Sequence, residues 1–316
     1  MRRWKWYYRW INNNVTLEEA EKEVFNNKKN EPDSLFSDYG QTENAFGGES
    51  LFEDTGPTVS VFNTDTSGYL PAVGGFLSNG AYAWYSNIGG REVNEDCVKS
   101  GTFKDNFIAV VADGLGGEGD GERASEIICE SLMKCGADGT FPDRTVLKAN
   151  CESANRELLS KQKNKFHMKS TAVYLCIQGN KAIWAHIGDS RLYHLFNGKI
   201  RECTMDHSAS QMAVLLGEIT REQIPSDPGR SRLLRAMGSA EVKPDIHDPV
   251  TLEPGLHGFL LCTDGLWEYL SDDVIAEEYS IARSPKEFIN KLYGIKLSKS
   301  EEICDNSSAV AVFWKV

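Results

Sequence analysis

One stretch of the chain joins an apolar run to a carboxylate and a cluster of glycines: Ala109-Val110-Val111-Ala112-Asp113-Gly114-Leu115-Gly116-Gly117. The apolar run has the length and the β-branched content of a buried strand. Asp113 follows it directly, and the glycines beside Asp113 allow the backbone to turn a carbonyl oxygen inward. This arrangement suits a hard cation such as Mg²⁺ or Mn²⁺. Taken alone, it is more typical of a strand that ends in an Asp-Gly turn.

The overall composition is that of an ordinary soluble protein, and it limits the classes of partner. The chain has 316 residues, of which 41% are hydrophobic, and its formal net charge is −12. That charge argues against nucleic acid as a general partner, because a phosphate backbone would be repelled. We expect no transmembrane segment, since no apolar run is long enough to cross a bilayer.

The cysteines and the N-terminus indicate the compartment. The 8 cysteines are scattered, with no Cys-x-x-Cys pair and no cluster with histidine. The N-terminus lacks the apolar segment of a signal peptide. We therefore expect a cytoplasmic protein whose cysteines stay reduced.

Residues 1–79 differ from the rest of the chain and predict an N-terminal arm that is partly disordered. Residues 1–10 are dense in basic and aromatic side chains, and residues 12–68 are mostly polar with little periodicity. The basic aromatic start is typical of a docking patch for a membrane surface or a partner protein. It is also typical of a segment that packs on its own domain.

Residues 80–316 have the pattern of a globular domain, in which strands and amphipathic helices come in pairs. Asn197-Gly198 is a strong type I′ turn signal inside one hairpin. The irregular sequence at residues 206–239 predicts a flap that passes over the domain surface. The predicted strands are 81–88, 107–112, 171–177, 181–187, 191–196, 258–262 and 308–316, and the predicted helices are 122–135, 143–161, 271–282 and one that begins after Ser284.

Carboxylates recur at the edges of the predicted strands. Asp113, Asp264 and Asp305 each lie beside an apolar strand, next to glycine, asparagine or serine. If these strands share a sheet, the carboxylates converge at one rim, where like charges are costly unless cations bridge them. Oxygen ligands without histidine or cysteine select Mg²⁺ or Mn²⁺ over Zn²⁺. Two such cations that share a carboxylate would hold a water for in-line attack on phosphorus.

A further pair of carboxylates, Glu95 and Asp96, follows Gly89-Gly90. Adjacent side chains on a strand point to opposite faces, so at most one of the two aims at a given site unless the backbone turns. Taken alone, this pair is typical of a solvated loop.

Read together and in order, these motifs resemble those of the metal-dependent protein phosphatases of type 2C. The resemblance covers residues 80–316, and six motifs in one order make it specific. The motifs are Arg91…Asn94-Glu95-Asp96, Asp113-Gly114-Leu115-Gly116-Gly117, Ser170-Thr171, Gly188-Asp189-Ser190-Arg191, Asp264-Gly265-Leu266-Trp267 and Asp305-Asn306.

The resemblance implies an α+β fold, a four-layer α-β-β-α sandwich in which helices flank two packed antiparallel sheets. It implies hydrolysis of phosphoserine and phosphothreonine in proteins by direct attack of a metal-activated water at a centre of two Mn²⁺ or Mg²⁺ ions. Phosphorylated proteins are the expected substrates, and a cognate serine/threonine kinase is an expected partner. The alternative is a catalytically silent module that keeps the fold and recruits a kinase, although such modules usually lose a metal carboxylate.

The resemblance also implies a role for individual residues. Asp113 corresponds to the carboxylate that bridges both metals, and Gly114 to the residue that offers a carbonyl oxygen. Arg91 corresponds to the arginine that grips the substrate phosphate, a task that suits its planar fork. The remaining assignments are Glu95, Asp264 and Asp305 as metal ligands, Asp96 as a partner of metal-bound water, and Asp189 and Arg191 as structural braces.

The chain departs from the family pattern in two places. Leu115 occupies the position at which some members carry a histidine general acid. Residues 163–169 hold no carboxylate where many bacterial members have an aspartate for a third metal, so we predict that a third site is weak or absent. Lys169 stands where glycine is usual, either as a fixed positive charge near the site or as a solvated lysine.

Overall fold

The computed structural model describes residues 72–116, 120–162, 168–300 and 304–316. Most of the predicted N-terminal arm, including its basic aromatic start, lies outside the described residues. The first sheet begins before the predicted boundary at residue 80, because strand β1 (Val73–Leu77) pairs with β2 (Gly80–Asn87).

The described strands form two sheets in which every pair is antiparallel. The strands after β2 are β3 (Asp96–Phe103), β4 (Asn106–Leu115), β5 (Lys169–Ser170), β6 (Ala172–Gln178), β7 (Lys181–Ile187), β8 (Arg191–Phe196), β9 (Lys199–Cys203), β10 (Asp245–Ile246), β11 (Val250–Thr251), β12 (Leu256–Cys262) and β13 (Ser307–Lys315). The order in one sheet is β1-β2-β13-β12-β8-β9, and the order in the other is β10-β7-β6-β4-β3, with β11 paired to β7 and β5 to β4.

Helices cover the outer face of each sheet. Helices α1 (Asp120–Met133) and α2 (Arg144–Lys161) share a buried cluster with the β4 sheet, and α5 (Asp272–Ile281) and α6 (Pro285–Lys299) share one with the β13 sheet. A third cluster lies between the sheets. The predicted four-layer α-β-β-α sandwich is therefore confirmed.

Strand β4 has no solvent face over most of its length. Ile108, Val110 and Ala112 pack against the helix layer, and the alternate side chains pack between the sheets. Successive side chains of a strand point to opposite faces, so a strand buried on both sides reads as a continuous apolar run. This is why the run before Asp113 in the sequence shows no alternation.

Local signals in the sequence account for several turns and helix ends. The predicted turn at Asn197-Gly198 has positive φ at both residues, 53° and 71°. Ser284 caps α6, because its hydroxyl accepts a hydrogen bond from the Glu287 N–H at 3.1 Å. The predicted flap contains helix α3 (Ala209–Leu215) and a 3₁₀ helix at Arg221–Ser226.

Candidate metal centre

Two of the predicted site carboxylates lie directly opposite each other on neighbouring strands. Asp96 begins β3, and its Cα is the register partner of Asp113 on β4. Directly opposed residues of an antiparallel pair project from the same face of the sheet. Glu95 precedes β3, and its carbonyl oxygen accepts a hydrogen bond from the Gly114 N–H at 3.0 Å. The loop before β3 therefore brings Glu95, as well as Asp96, to the end of β4.

The backbone of Asp113 is fixed by Thr171. The Asp113 N–H donates to the Thr171 hydroxyl at 2.8 Å, and the Thr171 N–H donates to the Asp113 carbonyl at 2.8 Å. The same hydroxyl lies 2.7 Å from the Ser190 Oγ. Thr171 and Ser190 are fully buried, so these bonds set the direction in which the Asp113 carboxylate leaves the strand.

Asp264 and Asp305 come from the ends of two paired strands in the other sheet. Asp264 opens the short helix α4 (Asp264–Trp267) after β12, and Asp305 lies just before β13. Their two connections touch at Gly265, where a Cβ would lie 1.9 Å from the Asn306 carbonyl oxygen. Only glycine permits this approach, which places both aspartates at the same end of the sandwich.

Glycine also permits the contact between β4 and the start of α1. A Cβ on Gly114 would lie 1.9 Å from the Gly121 carbonyl oxygen, and a Cβ on Gly121 would lie 2.2 Å from the Glu95 Oε1. The Gly121 N–H hydrogen-bonds to the Glu95 carboxylate. The first turn of α1 therefore packs closely against both predicted ligands and leaves no room for a side chain there.

The carboxylates at this end raise one another's pKa. Burial raises the pKa of Asp113 well above its ordinary value, and the charges of Asp264, Asp96 and Asp189 raise it further. Burial and the charges of Asp189 and Glu268 do the same to Asp264. The pKa of Asp96 is raised to about 7, chiefly by burial. Like charges at short range are unfavourable, so a bound cation would relieve this repulsion.

Asp189, which the family resemblance predicts to be a structural brace, has a second property in the structure. Its carbonyl oxygen accepts a hydrogen bond from the Trp267 indole at 3.0 Å, which is a bracing contact. Its carboxylate also belongs to the repelling group, and its own pKa is raised to about 7, first by burial and then by Asp206. No local sequence pattern indicates this proximity, because the neighbours of Asp189 in space are distant in the chain.

Asn306 is a site residue for which the sequence motifs predict no role. Its side-chain oxygen accepts from the Glu95 N–H at 2.8 Å, and its Nδ2 donates to the carbonyls of Ile88 and Val93 at 2.8 and 3.1 Å. Asn306 therefore holds the loop that carries Arg91 and Glu95 against the start of β13. The only indication of this role in the sequence is that Asn306 directly follows Asp305 in one of the six motifs.

Arg91 lies at the exposed rim of this site. Its guanidinium donates to the Asp305 Oδ2 at 2.8 Å, and both side chains are about half exposed to solvent. The charge of Asp305 raises the pKa of Arg91 further above its ordinary value. The predicted phosphate-binding arginine and one predicted metal ligand are thus direct neighbours.

The donor set at this end fits a hard divalent cation. It consists of carboxylate and carbonyl oxygens, which Mg²⁺ and Mn²⁺ prefer, and it includes no histidine or cysteine. The residues that would hold such ions are Glu95, Asp113, Gly114, Asp264 and Asp305. Most of the segment that bears on the predicted weak or absent third site, residues 163–167, lies outside the described part of the chain.

A different group has its ligand atoms closer together. Within the described ranges, only His186, His207 and Asp245 bring three such atoms within 4.8 Å of one another. Hydrogen bonds already engage both nitrogens of His207: Nδ1 accepts from the Gly188 N–H at 3.1 Å, and Nε2 lies 3.1 Å from the Asp245 carboxylate. We interpret this group as a hydrogen-bonded network, because neither ring nitrogen of His207 keeps a free lone pair for a metal.

Comparison with known proteins places the chain among phosphatases. Residues 85–294 match the family model of protein phosphatase 2C. The chain is 32% identical over 197 residues to the serine/threonine protein phosphatase PstP of Mycobacterium tuberculosis, a match that covers 60% of this chain and 37% of PstP. It is 30% identical over 216 residues to the serine/threonine phosphatase stp of Listeria welshimeri, covering 64% of this chain and 84% of stp.

A solved structure shares the fold. The crystal structure of the PstP catalytic domain in complex with 2 manganese ions superposes with a TM-score of 0.63 at 28% identity, covering 74% of this chain and 97% of that domain. The sandwich is therefore similar to that of a protein whose structure was solved in complex with manganese.

Proposed function

The chain belongs to the protein phosphatase 2C family, and from that premise we propose that it is a metal-dependent serine/threonine protein phosphatase. Its substrates are phosphoserine and phosphothreonine residues in proteins. The matched region spans little more than a third of PstP, so this activity is proposed for the chain and is not transferred from that relative. No helix among the described residues has the length and apolar character needed to cross a bilayer.

The observation that carries the proposal is the group of buried carboxylates around Asp113 and Asp264 at one end of the sandwich. Burial raises the pKa of both Asp113 and Asp264. The charge of Asp264 raises the pKa of Asp113 further, and the charges of Asp189 and Glu268 raise that of Asp264 further. When bound, two divalent cations held by these oxygens would lower the pKa of a water for direct attack on phosphorus. All the predicted ligand carboxylates are present, so nothing favours the silent alternative. Manganese is the ion we favour, because a manganese-bound neighbour shares the fold.

Other groups of the site orient the reactants. Arg91 is exposed at the rim and offers a planar fork of N–H donors that matches two phosphate oxygens. The Asp96 carboxylate accepts a hydrogen bond from the Thr263 hydroxyl at 2.9 Å, and this bond holds the carboxylate at the acidic end, where it would accept a hydrogen bond from the attacking water. Leu115 has no acidic group that could donate a proton, so water or the substrate would have to protonate the leaving oxygen of serine or threonine.

Phosphoproteins are the proposed partners, together with a serine/threonine kinase that generates them. This pairing follows from the chemistry, because a phosphatase of this class needs substrates that a kinase of the matching specificity supplies. We keep the cytoplasm as the proposed compartment.

The test is release of phosphate from a phosphothreonine peptide by the purified chain with Mn²⁺. We expect turnover that disappears with excess chelator and falls at least ~100-fold in Asp264→Asn, because a ligand is lost. Asp248→Asn is the matched control, since Asp248 is an exposed aspartate whose carboxylate pairs with Arg144 instead. Turnover that survives both chelation and Asp264→Asn would contradict the proposal.

A further inference from the structure

Lys169 lies on a strand that is paired to the metal-binding end of β4. The register partners of Lys169 and Ser170 are Leu115 and Gly114. Asp113 and Leu115 are two residues apart on one strand and share a face, and Lys169 shares that face because it is directly opposite Leu115. Burial follows the same alternation: Gly114 and Ser170 are buried, and Lys169 is exposed. The Lys169 side chain therefore leaves the sheet on the same side as the Asp113 carboxylate.

The backbone that carries Lys169 is held on both sides. The Ser170 N–H and carbonyl pair with Met237 at 3.3 and 2.8 Å, and the Ser170 hydroxyl donates to the Asp113 carbonyl at 3.0 Å. Two residues along a strand span about 7 Å, a distance comparable to the reach of the flexible four-carbon stem of lysine. The ammonium group is thus tethered at the rim by a fixed strand and a flexible stem.

The ammonium group of Lys169 makes no ion pair or hydrogen bond with the part of the chain that the structure describes. Arg91, another cation at the acidic end, already contacts Asp305 at 2.8 Å. An acidic site with an exposed lysine at its edge, one that has no partner among the described residues, attracts a negatively charged group to that edge and disfavours it elsewhere.

We propose that Lys169 determines substrate specificity by binding an acidic side chain that flanks the phosphorylated residue of the substrate. This inference rests on the proposed phosphatase activity and adds a substrate class to it, namely acidic phosphopeptides. Lys169 contacts the flanking residue, whereas the phosphate that is hydrolysed would be held by Arg91 and by the cations that the carboxylates bind.

The test compares two phosphothreonine peptides that differ only in their flanks, with glutamate in one and glutamine in the other within two residues on each side. With Mn²⁺, we expect the full chain to have a kcat/KM about threefold to fivefold higher for the glutamate peptide, the range of an exposed ion pair. In Lys169→Gln this ratio falls to about one, and in Lys169→Arg it is kept. Added salt lowers the ratio of the full chain and leaves that of Lys169→Gln unchanged.

Lys181→Gln is the matched control. Lys181 is also exposed, and it lies at the end of the β6–β7 hairpin that is remote from Asp113. The ratio of kcat/KM between the two peptides in Lys181→Gln should therefore match that of the unaltered chain. Equal kcat/KM for both peptides in the unaltered chain would overturn this inference alone. A fall of the same size on both peptides in Lys169→Gln would also overturn it, because Lys169 would then bind the reacting phosphate. No Mn²⁺-dependent turnover of either peptide would overturn the proposed function and this inference with it.

Discussion

Among the buried ionisable side chains of the described residues, the Arg191–Asp206 pair and the carboxylates around Asp113 are built in opposite ways. The Arg191–Asp206 pair is closed: the guanidinium donates to both carboxylate oxygens at 2.8 and 2.7 Å and stacks 3.4 Å above the Trp267 ring. The carboxylates around Asp113 have neighbours of their own sign, which raise their pKa. A buried charge with a complete set of partners supports the fold, whereas a buried group of one sign requires a ligand from outside. The contrast separates structural from functional acids in the same sequence.

The largest effect is expected from breaking the closed pair. Asp206→Asn leaves the guanidinium of Arg191 buried without its counter-charge, and the two side chains are only 5% and 1% exposed. We expect the free energy of unfolding to fall by about 3–5 kcal/mol, measured by urea denaturation. The loss should be the same with and without Mn²⁺. The double variant Arg191→Met with Asp206→Leu, which leaves no buried charge, should recover most of the lost free energy of unfolding. A double variant as unstable as Asp206→Asn would show that the loss does not come from an unpaired buried charge.

A smaller effect is expected where the fold supports the acidic group. Thr171→Val removes the hydroxyl that accepts the Asp113 N–H at 2.8 Å but keeps the shape of the side chain. The carboxylate then loses its fixed direction, so we expect Mn²⁺ affinity to fall about tenfold to 100-fold, measured by isothermal titration. Thr171→Ser, which keeps the hydroxyl, is the control. Wild-type affinity in Thr171→Val would mean that Thr171 does not orient the ligand.

The smallest of these effects is the pH dependence of the free energy of unfolding, measured with a chelator present so that no metal is bound. The folded state holds protons on Asp96, Asp113 and Asp264 at pH values where the unfolded chain has released them, so the stability from these groups falls as pH rises from about 4 to 7. Asp264→Asn removes one repelling charge. Between pH 6 and 7 we therefore expect its free energy of unfolding to rise relative to wild type by about 1 kcal/mol.

Buried histidines act in the opposite direction and make the variant comparison necessary. The pKa of His186 and of His194 is lowered to about 4 by burial, so their contribution to stability rises with pH. Both histidines are present in wild type and in Asp264→Asn, and their effect cancels in the difference. A difference between the two proteins that is flat or shrinking from pH 6 to 7 would argue against mutual repulsion at Asp264.

The sequence predicted those parts of the fold whose residues carry their own periodicity. Strands β4, β7, β8 and β13 lie within a few residues of the predicted bounds, because their apolar content is high. Strand β3 was not predicted. Its sequence, Asp96–Phe103, is largely polar, and it is a strand because it pairs with β4 and buries Cys97 and Val98. Tertiary pairing outweighs local preference in such a segment.

The site was predictable as a set of residue types and not as a geometry. The acidic strand ends and the glycines beside them are visible in the sequence. The close approach of Gly265 to Asn306, which joins Asp264 to Asp305, depends on two segments about forty residues apart. The proximity of Asp189 to Asp113 also depends on pairing across the fold, which no local pattern encodes.

Titration of Mn²⁺ into the metal-free chain tests the central claim most directly, because it counts the cations that the carboxylates hold. We predict about two ions per wild-type chain, as expected for a two-metal site. In Asp113→Asn, which alters the residue proposed to bridge both ions, we predict that neither binds within about 100-fold of the wild-type affinity. Two ions bound to Asp113→Asn as tightly as to wild type would contradict the account.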